Sequence, residues 1–358
     1  MGEVAARERE RILSIEGLRV VIRQGRRRSA VVDGVDLHVD RGEVLGLVGE
    51  SGCGKTMTAL SVLRLVPDPP ALIDGGRIVF GGRDLLGLSL SEMRKLRGRE
   101  ISMIFQEPMS ALNPVHTVGA QVMEVFRVHK GFSRHQARTR TVELFEMVGI
   151  PAAGSRVDSY PHELSGGMRQ RVMVAMALVC RPPLIIADEP TTALDVTIQA
   201  QVIELLQKLR SDFGTSLLFI THDLGIVAHI ADRVCIMYAG QVVEEGPVTD
   251  IFGTPLHPYT LGLLGSVPRL EEIAEGQRRL RAIPGVAPEP GIQVPGCRFA
   301  DRCEFAFDRC RREIPPLYEY GDRRRTRCFL VEEGAADLSP PGAPPAPLPA
   351  AGAGGGPS

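Results

Sequence analysis

Gly49-Glu50-Ser51-Gly52-Cys53-Gly54-Lys55-Thr56 follows the apolar run Val44 to Val48 and precedes a segment with helical spacing at Leu60 and Leu63. A strand, a glycine-rich loop and a helix start in that order form the setting of a phosphate-binding loop. Glycines let backbone N–H groups curl around phosphate oxygens without a Cβ clash, and the helix N-terminus adds partial positive charge. Lys55 is placed to reach the β- and γ-phosphates, the Thr56 hydroxyl to ligate Mg²⁺, and Thr58, in the first turn of the helix, joins the candidate phosphate-binding set. The alternative is a glycine-rich turn that matches by accident, and a chain with four lysines makes that coincidence improbable.

Bulk properties narrow the remaining classes. A length of 358 residues holds one large domain plus an appendage, or two domains. A net charge of −1 gives no general attraction to nucleic acid, so no nucleic-acid partner is expected. No apolar run approaches the length of a membrane span, and the charged stretch Met1 to Arg11 lacks the apolar centre of a secretory signal. A cytosolic setting with reduced thiols is therefore expected, in which the seven cysteines are free or metal-binding.

The pattern along the chain alternates strands and helices, which predicts an α/β sheet. Strands are expected at Ile12–Ile22 and Val31–Val39 around a turn at Gly25 to Ser29, then at Arg77–Phe80 and Ile101–Phe105. Residues 117–148 carry helical spacing, 166–180 read as one helix and 196–213 as another. Leu184–Ala187 and Leu217–Ile220 read as buried strands, and a late hairpin is expected around Gly240. Composition changes near Pro284, and from Gly334 to Ser358 the Ala, Pro and Gly content predicts a disordered tail.

A phosphate loop needs a partner strand that ends in a metal-binding acid. Leu184-Ile185-Ile186-Ala187-Asp188-Glu189 supplies it, with Asp188 placed for Mg²⁺ and Glu189 placed as general base. Leu164-Ser165-Gly166-Gly167-Met168-Arg169-Gln170 then forms a second candidate anion site, because Ser165 is a good N-cap and Gly166 and Gly167 expose N–H groups at a helix start.

On these motifs the chain resembles the nucleotide-binding subunits of ABC transporters over about residues 12–265. The Leu-Ser-Gly-Gly segment matches the family signature, which extends to Gln170. Gln106 matches the Q-loop glutamine, Ala193-Leu194-Asp195 the D-loop, and His222 the switch histidine. The resemblance implies an ABC-type ATPase domain at 12–265 with a helical insert at about 107–180. It also implies ATP and Mg²⁺ as cofactors, the metal on Thr56, Gln106 and Asp188, and Glu189, His222 and Lys55 as catalytic residues. Two such domains then sandwich ATP head to tail, the Ser165–Gly167 amides of one chain facing the loop 49–56 of the other. Residues 107–117 and the helical insert are expected to receive a permease. Partners so implied are two membrane permeases, a second ATPase subunit that is commonly a distinct homologue, and a solute-binding protein. The implied location is peripheral, on the cytoplasmic face of a bacterial membrane.

Four of the seven cysteines, Cys297, Cys303, Cys310 and Cys328, crowd into a short stretch near the C-terminus. No His follows His257, so a metal here would be held by thiolates alone, which suits zinc, an iron–sulfur cluster or neither. Gly296 to Cys303, Asp308-Arg309-Cys310, Cys328 and the upstream His257-Pro258-Tyr259-Thr260 resemble the C-terminal module of oligopeptide/dipeptide-importer ATPases. That resemblance implies a 4Fe-4S cluster on the four cysteines, within a small Cys-rich module at 266–333, ahead of the 334–358 tail. It also implies peptide import. Related importers of nickel or other solutes share this layout. A non-transport ABC ATPase would carry two ATPase halves or a long coiled coil, and a degenerate regulator would not keep Lys55, Asp188, Glu189 and His222.

Two further expectations concern single residues. Cys53, a thiol inside the loop, reads as a small residue that fills space; the alternative is that N–H donors and Lys55 lower its pKa and make it prone to alkylation. The family stacks adenine on an aromatic near the end of the first strand, but no Phe, Tyr or Trp precedes Phe80, and Ile22 and Arg23 lie near that place. Adenine would then meet an aliphatic face or a guanidinium. Steady-state hydrolysis of ATP and GTP by the same preparation should accordingly give comparable kcat/KM values; widely different efficiencies would contradict this reading.

Overall fold

The computed structural model describes residues 10–25, 27–107, 111–192, 195–266, 283–289, 291–292, 294–321 and 323–334. The expected tail beyond Gly334, Pro108, and Ala193 and Leu194 of the D-loop lie outside the described residues.

β1 (Arg11–Gln24) and β2 (Arg27–Asp40) form a long antiparallel hairpin. Pairing runs to Gln24↔Arg27, so the turn is tighter than the expected Gly25 to Ser29 stretch; Gly25, at φ +61°, supplies the left-handed backbone that so short a connection needs. β3 (Val44–Val48) leads through the glycine-rich loop into helix α1 (Lys55–Val62). β4 (Ala71–Phe80) extends six residues further back than expected because its pairing with β1 continues past Gly75, and β5 (Arg83–Asp84) completes a four-stranded sheet in the order β2-β1-β4-β5. A short helix α2 (Leu90–Leu96) starts at a capping box, Ser89 with Glu92. β6 (Ile101–Ile104) precedes a helical layer made of α3 (Val118–Lys130), α4 (Arg134–Met147), the single turn α5 (Ala153–Arg156) and α6 (Gly166–Leu178). The helical spacing of 117–148 thus divides in two. Gly131 ends α3 in the left-handed conformation, and Ser133 caps α4 with Gln136 in a second capping box.

Strands and helices then alternate from β7 (Leu184–Asp188) through α7 (Val196–Phe213), β8 (Ser216–Thr221) and α8 (Leu224–Ile230) to β9 (Arg233–Tyr238), which turns directly into β10 (Gln241–Pro247) as an antiparallel hairpin. Two short helices follow, α9 (Val248–Gly253) and α10 (Pro258–Gly265), and then the cysteine-bearing stretch with α11 (Asp308–Arg312), β11 (Tyr318–Glu319) and β12 (Arg325–Thr326). The central sheet has eight strands in the order β11-β12-β10-β9-β3-β8-β7-β6. β6, β7, β8, β3 and β9 run parallel, and β3, β7 and β8 are buried along their whole lengths, as strands covered on both faces are.

Alternate residues of each central strand enter different cores. Leu184, Ile186, Leu218 and Ile220 pack under the antiparallel sheet and α1, whereas Ile185, Ala187, Leu217 and Phe219 pack under the helical layer. The architecture is therefore three layers, sheet on sheet on helices, with side-chain direction dictated by the strand period of two. Among the described residues no helix is long and apolar enough to cross a membrane.

Candidate active site

In-register parallel pairing brings four strand ends to one edge. Val48 lies opposite Thr221, Asp188 opposite Ile220, and Ile104 opposite Ala187. The residues that leave these strands are Gly49, His222, Glu189 and, two residues past Ile104, Gln106. The carboxyl ends of parallel strands are where open α/β sheets place their ligands.

The glycine-rich loop is wedged between β2 and β9. A Cβ on Gly49 would stand 2.2 Å from the Met237 carbonyl oxygen, and one on Gly54, at φ +107°, 2.7 Å from the Val31 carbonyl oxygen. Both contacts are with backbone, so neither position has room for a side chain. The Gly240 amide donates to the Cys53 carbonyl at 2.9 Å, and the Thr58 hydroxyl to the Gly54 carbonyl at 3.0 Å. Lys55 is buried, and its ammonium donates to the carbonyls of Gly49 at 2.7 Å and Glu50 at 3.0 Å. Ser51 and Gly52 form the exposed lip of the loop.

Thr56 Oγ1 lies 3.3 Å from Asp188 Oδ1, so the expected metal-binding hydroxyl and carboxylate meet although they are far apart in sequence. Burial pushes the Asp188 carboxyl up to about 6, assisted by the neighbouring Glu189 charge and opposed by the Thr56 hydrogen bond and by Lys55. A cation at this pair would supply the compensation that the buried carboxylate lacks.

Glu189 is the hub of the site. Gln106 Nε2 donates to its Oε2 at 3.0 Å, Thr192 Oγ1 donates to the same oxygen at 2.8 Å, and His222 Nδ1 stands 3.4 Å from Oε1. Its own backbone has φ +44°, a left-handed value unusual for a residue with a side chain, and its N–H donates to the Ile220 carbonyl at 2.9 Å. Such a conformation costs on the order of 1–3 kcal/mol and persists because its surroundings over-determine it. Gln106, expected on the metal with Thr56 and Asp188, has its amide N–H₂ on Glu189. Thr192 was not expected; its only sequence signal is a hydroxyl three residues beyond an acid at a strand end.

Ser165 caps α6, accepting the Met168 N–H at 3.3 Å, and is exposed together with Gly166. A Cβ on Gly167 would meet Ile198 Cγ2 at 2.8 Å, which keeps α6 close against α7. Gln170 is buried, with no hydrogen-bond partner for its Nε2. Asp195 caps α7, accepting the Ile198 N–H at 2.9 Å. The helix that Ser165 caps packs on β6 and the helical layer, while the loop's helix α1 packs on β1, β2 and β7. Within one chain, then, the two candidate anion sites belong to different layers.

Cys297, Cys303, Cys310 and Cys328 line one pocket with Phe299, Phe305 and Phe329. Burial raises the Cys303 thiol to about 11 and the Cys328 thiol to about 12. His257 also lines this pocket, but its Nδ1 accepts the Tyr259 N–H at 3.0 Å and burial lowers its pKa to about 3, so it is neutral and already occupied. Among the described residues no group of three or more His, Cys, Asp or Glu side chains is arranged to hold a metal ion. The cysteines therefore stand around a common pocket rather than as an assembled ligand set.

Comparison with known proteins places this geometry. The family model for ABC transporters matches residues 32–192, and that for the C-terminal region of oligopeptide/dipeptide transporters matches residues 243–310. The chain is 50% identical over 328 residues to the oligopeptide transport ATP-binding protein AppD of Bacillus subtilis, covering 92% of this chain and 99% of that protein. It is 49% identical over 304 residues to the dipeptide transport ATP-binding protein DppD of Escherichia coli, covering 85% of this chain and 92% of that protein. Among solved structures, the dimeric post-hydrolysis state of the ATP-binding cassette MJ0796 with ADP and Pi superposes with a TM-score of 0.60 at 26% identity, covering 66% of this chain and 98% of that one.

Of the two readings of Cys53, the structure supports the space-filling one. Cys53 is buried, and burial raises its pKa more than Lys55, 3.9 Å away, can lower it. The thiol fills space beneath the loop, where a Cβ on Gly49 would stand 2.7 Å from its sulfur. In the folded full-length chain at neutral pH, maleimide should therefore leave Cys53 unlabelled while it labels thiols freed by denaturant, as read by peptide mass spectrometry. Fast labelling of Cys53 in the folded chain would contradict this.

Proposed function

We propose that this chain, which belongs to the ABC transporter family of ATP-binding proteins, hydrolyses ATP to power import of oligopeptides or dipeptides across a membrane. The observation that carries the reading is the Glu189 carboxylate, gripped by Gln106, Thr192 and His222 beside the Thr56–Asp188 pair. The peptide cargo is supported by the C-terminal family match and by the printed names of the relatives.

Thr56 and Asp188, with Gln106, would hold Mg²⁺, which neutralises charge on the β- and γ-phosphates. The amides from Gly49 to Thr56 cradle the phosphates, and Lys55 turns its ammonium from its own loop carbonyls toward them. Glu189 accepts a proton from the attacking water, while His222 keeps that water in line and contacts the γ-phosphate. The amides of Ser165, Gly166 and Gly167 close the site of a second cassette, with Gln170 supporting the helix start and Asp195 facing the partner across the dimer. That the exposed Ser165 and the loop 49–56 belong to different layers of one chain supports a two-chain site. ATP then joins two cassettes, and hydrolysis leaves a product that joins them less well.

The assembly so read has two permeases, which select the path, a second cassette, and a solute-binding protein that delivers cargo. The chain sits peripherally on the cytoplasmic face of the membrane. Residues 12–265 form the ATPase part, with the helical insert at about 107–180 facing the permeases, and 266–333 the cysteine-bearing module ahead of the 334–358 tail.

For the module, the donor chemistry fits a 4Fe-4S cluster: four thiols and no free imidazole around an apolar pocket. Cys297, Cys303, Cys310 and Cys328 would hold it as thiolates, and its chemistry here is cross-linking of a stretch with little core of its own. Protein purified without oxygen should be brown, with iron and acid-labile sulfide in matching amounts; a colourless protein that contains zinc would overturn the cluster.

The ATPase reading is tested by two substitutions in the assembled transporter. Glu189→Gln should keep ATP binding and cut turnover by about 10²–10⁴-fold, the usual worth of a general base. Ser165→Arg should leave nucleotide binding by the isolated chain intact and abolish turnover. Near-normal turnover of Glu189→Gln would refute the base, and loss of ATP binding in isolated Ser165→Arg would refute the two-chain site.

A further inference from the structure

The phosphate loop contains a residue that its function does not call for. Glu50 is the second residue of the loop, and a carboxylate there repels the anion the loop exists to bind. The structure shows how that charge is managed. Arg302, from the cysteine-bearing stretch 252 residues away in sequence, grips Glu50 with both terminal nitrogens, Nη1 to Oε2 at 2.9 Å and Nη2 to Oε1 at 3.0 Å. Its side chain is 8% exposed and that of Glu50 29%, so the pair is largely withdrawn from water.

Arg302 is itself fixed. Its Nε donates to the Pro284 carbonyl at 2.9 Å, Nη1 stands 3.3 Å from the Tyr238 hydroxyl, and the guanidinium lies 5.7 Å from the Tyr238 ring centre and 5.9 Å from that of Phe299. The backbone of Glu50 is held from the same side, its N–H donating to the Tyr259 hydroxyl at 3.1 Å. Tyr238, Tyr259 and Phe299 form one aromatic cluster, with ring centres 4.6, 5.3 and 5.4 Å apart. The Glu50 carbonyl, in turn, receives the Lys55 ammonium at 3.0 Å. An unbroken chain of contacts thus runs from the turn just before Cys303 to the lysine that meets phosphate.

We propose that Arg302 is a positioning residue for the phosphate loop, neutralising Glu50 and, with Tyr259, fixing the peptide that carries Lys55, so that the C-terminal module sets the affinity for nucleoside triphosphate. A planar fork is what this task needs, because it satisfies both carboxylate oxygens at once and holds their plane. A lysine would supply the charge without the orientation.

The inference rests on the loop being the ATP site, and the test separates the two. Equilibrium titration of the full-length chain with a fluorescent ATP analogue and Mg²⁺ should show Arg302→Gln weakening binding by about 10–100-fold, less than the loss of one partner from a fully buried ion pair, because Glu50 keeps some contact with water. In the assembled transporter KM should rise by a similar factor, with kcat much less affected. Adding Glu50→Gln to Arg302→Gln should restore most of the affinity, because the repulsive charge is then gone, and Arg302→Lys should fall between wild type and Arg302→Gln. An anchor that merely holds the module would lower the melting temperature, leave the dissociation constant unchanged, and gain nothing from the second substitution; that pattern overturns the proposal. If Arg302→Gln does not fold, Arg302→Lys decides alone: weaker binding supports the proposal and wild-type binding overturns it. A wild-type chain that binds no nucleotide overturns both this inference and the ATP reading.

Discussion

The site depends on one carboxylate held at the ends of parallel strands. Glu189 can meet Gln106, Thr192 and His222 together because β6, β7 and β8 run in the same direction and in register, so that their last residues finish side by side. A slip of one residue would turn each side chain to the opposite face. The alternation that buries Leu184 and Ile186 on one side of β7 and Ile185 and Ala187 on the other fixes that register, with burial of each leucine or isoleucine side chain contributing about 1.5–3 kcal/mol. The geometry of the site and core packing are thereby the same constraint. The left-handed backbone at Glu189 is stable because the strand before it cannot move.

The C-terminal stretch is tied to this scaffold at several points. β12 pairs with β10, placing Thr326 opposite Glu244 and Arg325 opposite Glu245, and so covers an edge that would otherwise present unpaired backbone. Glu244 is fully buried, yet it accepts the N–H groups of Leu256 at 2.7 Å and His257 at 3.0 Å, and Arg324 lies 3.5 Å away. Glu245 and Glu43 share the buried Arg233, and Arg325 adds a second cation to Glu245. Buried ions stay charged only when paired in this way. The aromatic cluster of Tyr238, Tyr259 and Phe299 adds about 0.5–1.5 kcal/mol per ring pair beyond the area it buries. Phe299 and Ala300 accordingly belong to the main structure, although they lie among the cysteines.

What was legible in the sequence was local. The loop 49–56 announces itself because glycines at fixed offsets encode a backbone path, and Ser165 and Asp195 because an N-cap is a property of neighbouring residues. The apolar runs of β3, β7 and β8 give strands buried on both faces, and the acid after β7 follows from its place at a strand end. Other features were legible but unread, such as the Ser89–Glu92 capping box that starts α2. What could not be read was the pairing of distant groups. Nothing near Glu50 points to Arg302, and nothing near Thr192 distinguishes it from an ordinary threonine of a loop. The choice between the two readings of Cys53 also needed the structure: its neighbours in sequence allow a reactive thiol, whereas its neighbours in space bury it, and desolvation outweighs one nearby ammonium. The break between α3 and α4 is marked by Gly131 and by the Ser133–Gln136 capping box that follows it.

We propose that one chain supplies the phosphate loop, the metal-binding pair and the base, and that a second cassette closes the site. The most direct measurement is a structure of the assembled transporter trapped with Mg²⁺, ADP and vanadate. Vanadate should be in contact with Lys55 and His222 of this chain, with an apical oxygen on Glu189 and the signature amides of the second cassette on the opposite side. Vanadate enclosed by residues of a single cassette, or an apical oxygen that does not touch Glu189, would contradict it.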